Sequence, residues 1–297
     1  MNPKIISIAQ KLKEQFLDEL PRSNEISLFL CGGSGDQEAE FRKEVGRQIS
    51  QMPSKYMYSI YYPEDMFIEL ILGHQKQDLL SLENLLADSV HCVVILLQSP
   101  GTFTELGAFT NYHKLSDKLV VVIDPRYSRS RSFISMGPVR YLQTKTKSKV
   151  LYSRMDRSNL SVLAKQVAEA ARDIAKHSSP ISDLSNPISS YRFHLSLIYV
   201  FDPIPKDSVF GILRVLATDE QDLAITAETV INSLINERKV ASVSGKLSTT
   251  SKGIDSLIYD NKTKRRSQAT LSLLSELRLE ALNLTMRKSY SRVWAER

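Results

Sequence analysis

Val90-His91-Cys92-Val93-Val94-Ile95-Leu96-Leu97-Gln98-Ser99-Pro100-Gly101-Thr102-Phe103-Thr104-Glu105-Leu106-Gly107-Ala108-Phe109 is the stretch that decides the fold. Residues 90–97 are apolar apart from His91 and do not alternate, the signature of a strand buried on both faces. Pro100-Gly101 then bends the chain, and residues 103–115 continue at helical spacing. The same grammar holds on either side. Strands are expected at 26–31, 56–61, 119–123 and 149–152, and helices at 3–20, 37–52, 64–72, 78–89 and 159–176. Apolar strands alternating with helices imply an α/β domain, a Rossmann-like parallel sheet covered by helices on both faces. Ligands of such sheets bind at the carboxyl ends of the strands.

Composition bounds the function. The chain has 297 residues, of which 42% are hydrophobic and 24% charged, with 39 basic against 33 acidic side chains. These values fit ordinary globular usage and exclude rods, collagen-like repeats and disorder. No apolar run approaches the roughly 18 residues of a membrane span, so no membrane association is expected. The first residues have no apolar core of a signal peptide. Cys31 and Cys92, each within an apolar run, suit a reducing cytoplasm and no disulfide framework. The five histidines show no ligand spacing, so no metal is expected.

The net charge of +6 is unevenly spread. Residues 238–297 carry 13 basic and 5 acidic side chains, and residues 126–149 carry seven basic side chains and no acid. The remainder is net acidic. Two basic clusters on an otherwise acidic chain point to a polyanionic partner, although a basic run alone is commonly a solvated face.

Residues 179–190 are rich in Ser and Pro and read as a linker. The expected organisation is therefore an α/β domain over 1–178 and a smaller, mostly helical domain over 191–297. In the latter, 209–217 and 225–239 read as helices. Residues 240–249 alternate around a turn at Ser244-Gly245, and a further helix follows Ser251-Lys252-Gly253. Helix, helix, hairpin, helix is the pattern of a winged helix-turn-helix. Its recognition helix would present Thr226, Thr229, Arg238 and Lys239, and its wing Lys246. Lys252, Lys262, Lys264, Arg265 and Arg266 would meet phosphates. Such small domains also bind proteins. The last helix, 271–284, would pack on its own domain or on a second copy.

Three loops leave the strands of the first domain. Cys31-Gly32-Gly33-Ser34-Gly35-Asp36 would let a backbone approach a sugar or phosphate, or simply make a tight turn. It matches neither the dinucleotide fingerprint nor a P-loop. Tyr61-Tyr62-Pro63-Glu64-Asp65 begins a helix, and its acids complement the helix dipole or hold ribose hydroxyls. In the third loop, Ser99, Gly101 and Thr102 are candidate binding residues. Thr102 and Glu105 form a Thr-x-x-Glu capping box, which by itself needs no catalytic explanation. Gly107 inside the helix costs about 1 kcal/mol relative to Ala, a hint of close ligand or backbone approach.

Phe29-Leu30-Cys31-Gly32-Gly33, Tyr62-Pro63-Glu64-Asp65, Leu80-Ser81-Leu82-Glu83-Asn84, Ser99-Pro100-Gly101-Thr102-Phe103-Thr104-Glu105-Leu106-Gly107-Ala108-Phe109 and Arg131-Ser132-Phe133-Ile134 with Gly137-Pro138-Val139-Arg140 occur in that order. Together they resemble the retron effector (toxin) proteins of the nucleoside deoxyribosyltransferase-like class. The likeness reappears at Leu234-Ile235-Asn236-Glu237-Arg238-Lys239. The resemblance implies cleavage of an N-glycosidic bond, with Glu105 as the nucleophile at the anomeric carbon. It implies Glu83 and Asn84 at the rim of the site, ordering hydroxyls or water. NAD is the implied substrate rather than a cofactor, hydrolysed to nicotinamide and ADP-ribose; a free nucleoside or nucleotide is the alternative. The implied partners are a retron reverse transcriptase and its multicopy single-stranded DNA, and self-association is expected. One departure stands out. Nucleoside deoxyribosyltransferases place an Asp shortly before the nucleophile, where this chain has Gln98 and Ser99. Nicotinamide leaves as a neutral base from a cationic ring and needs less protonation, so the departure favours NAD. A ligand-sensing DNA-binding regulator without turnover is the rival reading.

Overall fold

Asn2 starts the first helix. Its side-chain oxygen accepts the Lys4 amide at 3.0 Å, and Pro3 takes the first helical position, where no N–H is needed. This helix, α1 (Pro3–Lys13), buries Ile8, Ala9 and Leu12 along one face. Phe16 and Leu17 in the following π turn are buried with them. All five join a core whose other members include Phe193, Leu197, Leu213 and Leu277. The structure, a computed structural model, describes residues 2–18, 25–62, 89–178, 183–217, 223–260 and 265–295. It divides into two compact units, Arg22–Ile181 and Met1–Pro21 with Ser182–Arg297. The expected first domain, 1–178, is thus corrected at its start. The apolar stripe of α1 is matched by helices near the other end of the chain, not by the sheet that follows it.

The α/β unit runs β1 (Glu25–Cys31), α2 (Asp36–Ser50), β2 (Met57–Tyr61), β3 (Cys92–Leu96) and α3 (Pro100–Asn111). It continues with α4 (His113–Ser116), β4 (Leu119–Ile123), β5 (Lys149–Tyr152) and α6 (Leu160–Ala175); before β5, a π turn at Ser135–Val139 leads into α5 (Arg140–Lys145). The expected helices at 64–72 and 78–89 lie outside the described residues. Five strands pair in the order β2-β1-β3-β4-β5, all parallel, in registers such as Leu28↔Ile60, Leu30↔Val94 and Val94↔Val120. β3 and β4 are buried at every residue, as their unbroken apolar runs require.

Strand alternation separates two faces. Leu28, Leu30, Val94, Leu96, Val120 and Val122 pack under α2 and α6, whose Val45, Ile49, Leu163 and Val167 are fully buried. Each such aliphatic chain stabilises by about 1.5–3 kcal/mol. Phe29, Val93, Ile95 and Val121 point to the other face, where α3 packs on β3. The strand order reverses between β1 and β3, so the loops leaving those strands diverge and open a crevice at their carboxyl ends.

The second unit continues from α1 with α7 (Tyr191–Val200), β6 (Ile204–Pro205), α8 (Lys206–Leu216) and α9 (Leu223–Asn236). Then come β7 (Val240–Val243), β8 (Lys246–Thr249), α10 (Ser251–Ile258), β9 (Tyr259–Asp260), β10 (Arg265–Arg266) and α11 (Gln268–Ala295). β6, β8 and β7 form an antiparallel sheet in that order. The expected turn is present: Ser244 (φ 50°) and Gly245 (φ 74°) supply the two left-handed residues of a tight hairpin. Sequence periodicity did not single out α7, because it is buried nearly all round and so carries no apolar stripe.

Two histidines are folded in as neutral imidazoles. His91 Nδ1 accepts the Ser27 amide at 3.1 Å and lies 2.7 Å from the Ser27 hydroxyl. His194, in α7, is fully buried, with Nδ1 2.8 Å from the Ser190 carbonyl oxygen. Burial pushes both pKa values down to about 4. Between pH 6.5 and 4 the unfolded chain takes up protons that the folded chain refuses, so stability falls as pH falls. Chemical denaturation at pH 7 and pH 5 should differ by on the order of 1–2 kcal/mol for the unit holding each histidine. Equal stability at the two pH values would show that the imidazoles are protonated in the folded protein.

Candidate active site

The crevice is built from the loop after β1 and the loop after β3. α3 begins at Pro100, three residues before the expected start, and this changes the role of each polar side chain there. The Thr102 hydroxyl accepts the amides of Gln98 (3.2 Å) and Ser99 (3.1 Å) and donates to the Ser99 carbonyl at 2.7 Å. Thr102 is only 1% exposed, so it pins the loop and offers nothing to a ligand. Ser99 is half-buried and Gly101 exposed at the mouth of the crevice.

Glu105 is the sixth residue of the helix. It is too deep for the expected Thr-x-x-Glu capping box, and beyond the first turn, where the helix dipole acts. The capping explanation therefore falls away. Glu105 is half-buried, with Oε2 closed off from water. Gly107, one residue past Leu106, faces open space: a Cβ there would meet nothing within 4 Å among the described residues.

The glycine loop is filled from within. A Cβ on Gly32 would come within 2.9 Å of the Arg42 side chain, and one on Gly33 within 2.7 Å of Glu38. Glu38 also lies against Gly35 at the start of α2, so the chain's own carboxylate occupies the place expected for a phosphate. Cys31 is 1% exposed and belongs to the core. Sequence reasoning missed Arg42. It is 5% exposed, its guanidinium lies 5.7 Å from the Tyr62 ring, and a buried charge on an otherwise apolar helix face was the signal that could have found it. Glu64, Asp65, Glu83 and Asn84 lie outside the described residues.

A cleft of about 1370 Å³ opens at the carboxyl ends of β3, β4 and β5, on the α2 and α6 side. Gln98 and Phe103 line it, together with Glu38 and Glu44 of α2, Asp124 and Arg154. Glu105 does not line it, although Phe103 reaches it from the same helix. Asp124 accepts two bonds from the Arg126 guanidinium, each 3.0 Å, and these hold its carboxyl below the usual range.

In the second unit, three expected nucleic-acid contacts turn inward. Thr226 is fully buried and its hydroxyl donates to the Ser185 carbonyl at 2.7 Å. Thr229 is 2% exposed and donates to Ile225 within its own helix. The Lys239 ammonium pairs with Glu237 at 2.7 Å and donates to the Tyr191 hydroxyl at 3.2 Å. Burial alone would raise the Glu237 carboxyl, but hydrogen bonds from Lys239, Tyr191 and Ser233 outweigh it and keep the group ionised. These three residues are corrected to structural roles. Arg238, Lys246 and Lys252 are exposed. Arg265 and Arg266 form β10, paired with β9, while Lys262 and Lys264 lie outside the described residues.

The chain thus joins an α/β unit, with a carboxylate-bearing helix at a strand-order reversal, to a small α+β unit. Comparison with known proteins gives the family. The profile of the STM3845 retron effector protein family matches residues 38–265, and this chain belongs to the retron effector family. It is 32% identical over 278 residues to the Escherichia coli protein named "Retron Ec86 putative ribosyltransferase/DNA-binding protein", covering 89% of this chain and 86% of that one. It is 24% identical over 208 residues to the corresponding Escherichia coli retron Ec73 protein of the same designation, covering 63% and 65%. No helix among the described residues is long and apolar enough to cross a membrane.

The two glycine environments differ in a testable way. Gly32→Ala forces buried Arg42 to move and should cost about 1–3 kcal/mol. Gly107→Ala meets no described atom and should stabilise by up to about 1 kcal/mol through helix propensity. Thermal melts of the two variants check the pair; equal effects would contradict the packing described.

Proposed function

We propose that the protein is an antiphage retron effector whose α/β unit breaks the N-glycosidic bond of a nucleotide, with NAD as substrate and Glu105 as nucleophile. One observation carries the reading. Glu105 stands in the second turn of the helix leaving β3, beside the strand-order reversal, and no capping role accounts for it. The ribosyltransferase designation of the Ec86 and Ec73 relatives supports the same bond class.

In this mechanism a Glu105 oxygen attacks the anomeric carbon as the bond to nicotinamide breaks. The bonding pair neutralises the pyridinium, so nicotinamide departs without a proton from the enzyme. Water then attacks the glycosyl ester, which releases ADP-ribose and a proton and restores the carboxylate. Gln98, whose Oε1 is buried beside Gly32, stands where a base-protonating acid would otherwise be expected, in keeping with a leaving group that needs none.

The order helix-strand-helix-helix-strand-strand from α7 to β8, with β6 pairing β8, supports a winged-helix reading of the second unit. In that reading Arg238, Lys246 and Lys252 are its remaining basic contacts. We assign it the task of docking the effector on the retron reverse transcriptase and its multicopy single-stranded DNA, which restrain the activity.

Chromatography of NAD incubated with the full chain should show nicotinamide release, and Glu105→Gln should lower it by at least 1000-fold, about 4 kcal/mol of barrier. The cognate DNA and reverse transcriptase belong in a parallel reaction. Equal turnover by the variant would remove Glu105 from the mechanism. Release of a purine or pyrimidine from a nucleoside, with NAD untouched, would move the substrate.

A further inference from the structure

The helix expected to read nucleic acid is poorly equipped for it. α9 is buried along most of its length. Its partly exposed stripe is Ile225, Glu228, Asn232 and Ile235, with no basic side chain. Glu228 is neutralised by Lys206 at 2.7 Å. The charge and aromatic surface that nucleic acid requires is found in the α/β unit instead.

Residues 125–147 leave the carboxyl end of β4 and pass through a 3-10 turn, the π turn and α5. Tyr127 is 52% exposed, Phe133 86%, Met136 51% and Tyr141 39%. Of the ten exposed large hydrophobic residues among those described, four fall in these fifteen positions, so the exposure is concentrated rather than scattered. Phe133 is not loosely placed: its ring lies over Gly137, where an added Cβ would be 3.7 Å away. Interspersed with these side chains in the sequence are Arg129, Arg131, Arg140, Lys145 and Lys147, all exposed and with no ion pair among the described residues. Arg126 is paired to Asp124 and also lies 6.0 Å from the Tyr127 ring centroid. No acidic residue occurs between 125 and 149.

Exposed aromatic rings interspersed with unpaired cations suit one polymer. Unstacked bases lie on the rings while the phosphates between them meet the cations. A duplex hides its base faces and would use the charge alone. An acidic protein partner would answer the charge but would leave the exposed rings unexplained. We infer that residues 127–147 form a docking track for single-stranded nucleic acid on the α/β unit, separate from the winged-helix candidate. The inference does not depend on the proposed glycosidase chemistry. The π turn of the track packs against α3, the helix bearing Glu105, while Tyr127 at its start lines the cleft on the α2 and α6 side.

The test is fluorescence anisotropy with the full chain and a labelled oligo(dT), with oligo(U), a duplex and heparin as competitors. Oligo(dT) or oligo(U) should compete better than duplex or heparin at equal charge, and which of the two wins identifies DNA or RNA as the source. Phe133→Ala combined with Tyr127→Ala should weaken binding about tenfold or more. Both side chains are exposed, so a melt should show the fold unchanged. Arg129→Ala with Arg131→Ala should lower the slope of log affinity against log salt by about 1.4, roughly 0.7 for each phosphate no longer neutralised. Glu105→Gln should bind as wild type, which separates failure of this inference from failure of the enzymatic reading. Undiminished binding by the ring variant, equal competition by duplex or heparin, or no binding at all would overturn the track.

Discussion

Parallel pairing of β1 with β3 is the constraint on which the α/β unit turns. β2 lies on one side of β1, and the chain returns to place β3 on the other, so two successive loops leave the same edge in opposite directions. The hydrogen bonds of both strands are satisfied by neighbours, and their side chains on both faces are covered, so neither can shift without exposing apolar surface. The crevice at their carboxyl ends is therefore a consequence of topology. What the sequence adds is a proline at the first helical position, a Thr hydroxyl that closes the loop on itself, and a helix that carries Glu105 past the capping turn.

The α/β pattern was legible because its strands are unbroken apolar runs and its outer helices have a clean stripe, as in α6. The start of the unit was not. The stripe on α1 announces a buried helix without saying which core buries it, and that partner is nearly 200 residues away in sequence. α7 escaped notice for the opposite reason, since burial on nearly every side erases periodicity. At the site, the importance of Glu105 was readable, but its reason was not. A helix boundary misplaced by three residues turns a capping carboxylate into one with no capping duty. The glycine loop was over-read: glycines admit close approach, but Arg42 and Glu38 are what approach here. Residue type alone cannot distinguish a ligand from a neighbour.

The same lesson governs the second unit. Its hairpin turn follows directly from Ser244-Gly245, because few residues accept two successive positive φ values. Its basic residues were harder to place, since a lysine in a basic run can point inward when a carboxylate and a tyrosine hydroxyl await it, as Glu237 and Tyr191 await Lys239. Charge totals therefore overstate the polyanion surface of this unit. They understate that of the α/β unit, where Arg129, Arg131, Arg140, Lys145 and Lys147 are exposed and make no ion pair among the described residues.

The central claim is that Glu105 becomes bonded to the sugar during the reaction. A 2′-fluoro-arabinosyl analogue of NAD, whose fluorine slows release from such an ester, would trap that state for intact-protein and peptide mass spectrometry. The account predicts a single adduct with the mass of the fluorinated ADP-sugar, located on Glu105 and missing from Glu105→Gln. Nicotinamide release without an adduct, or an adduct on any other residue, would contradict it.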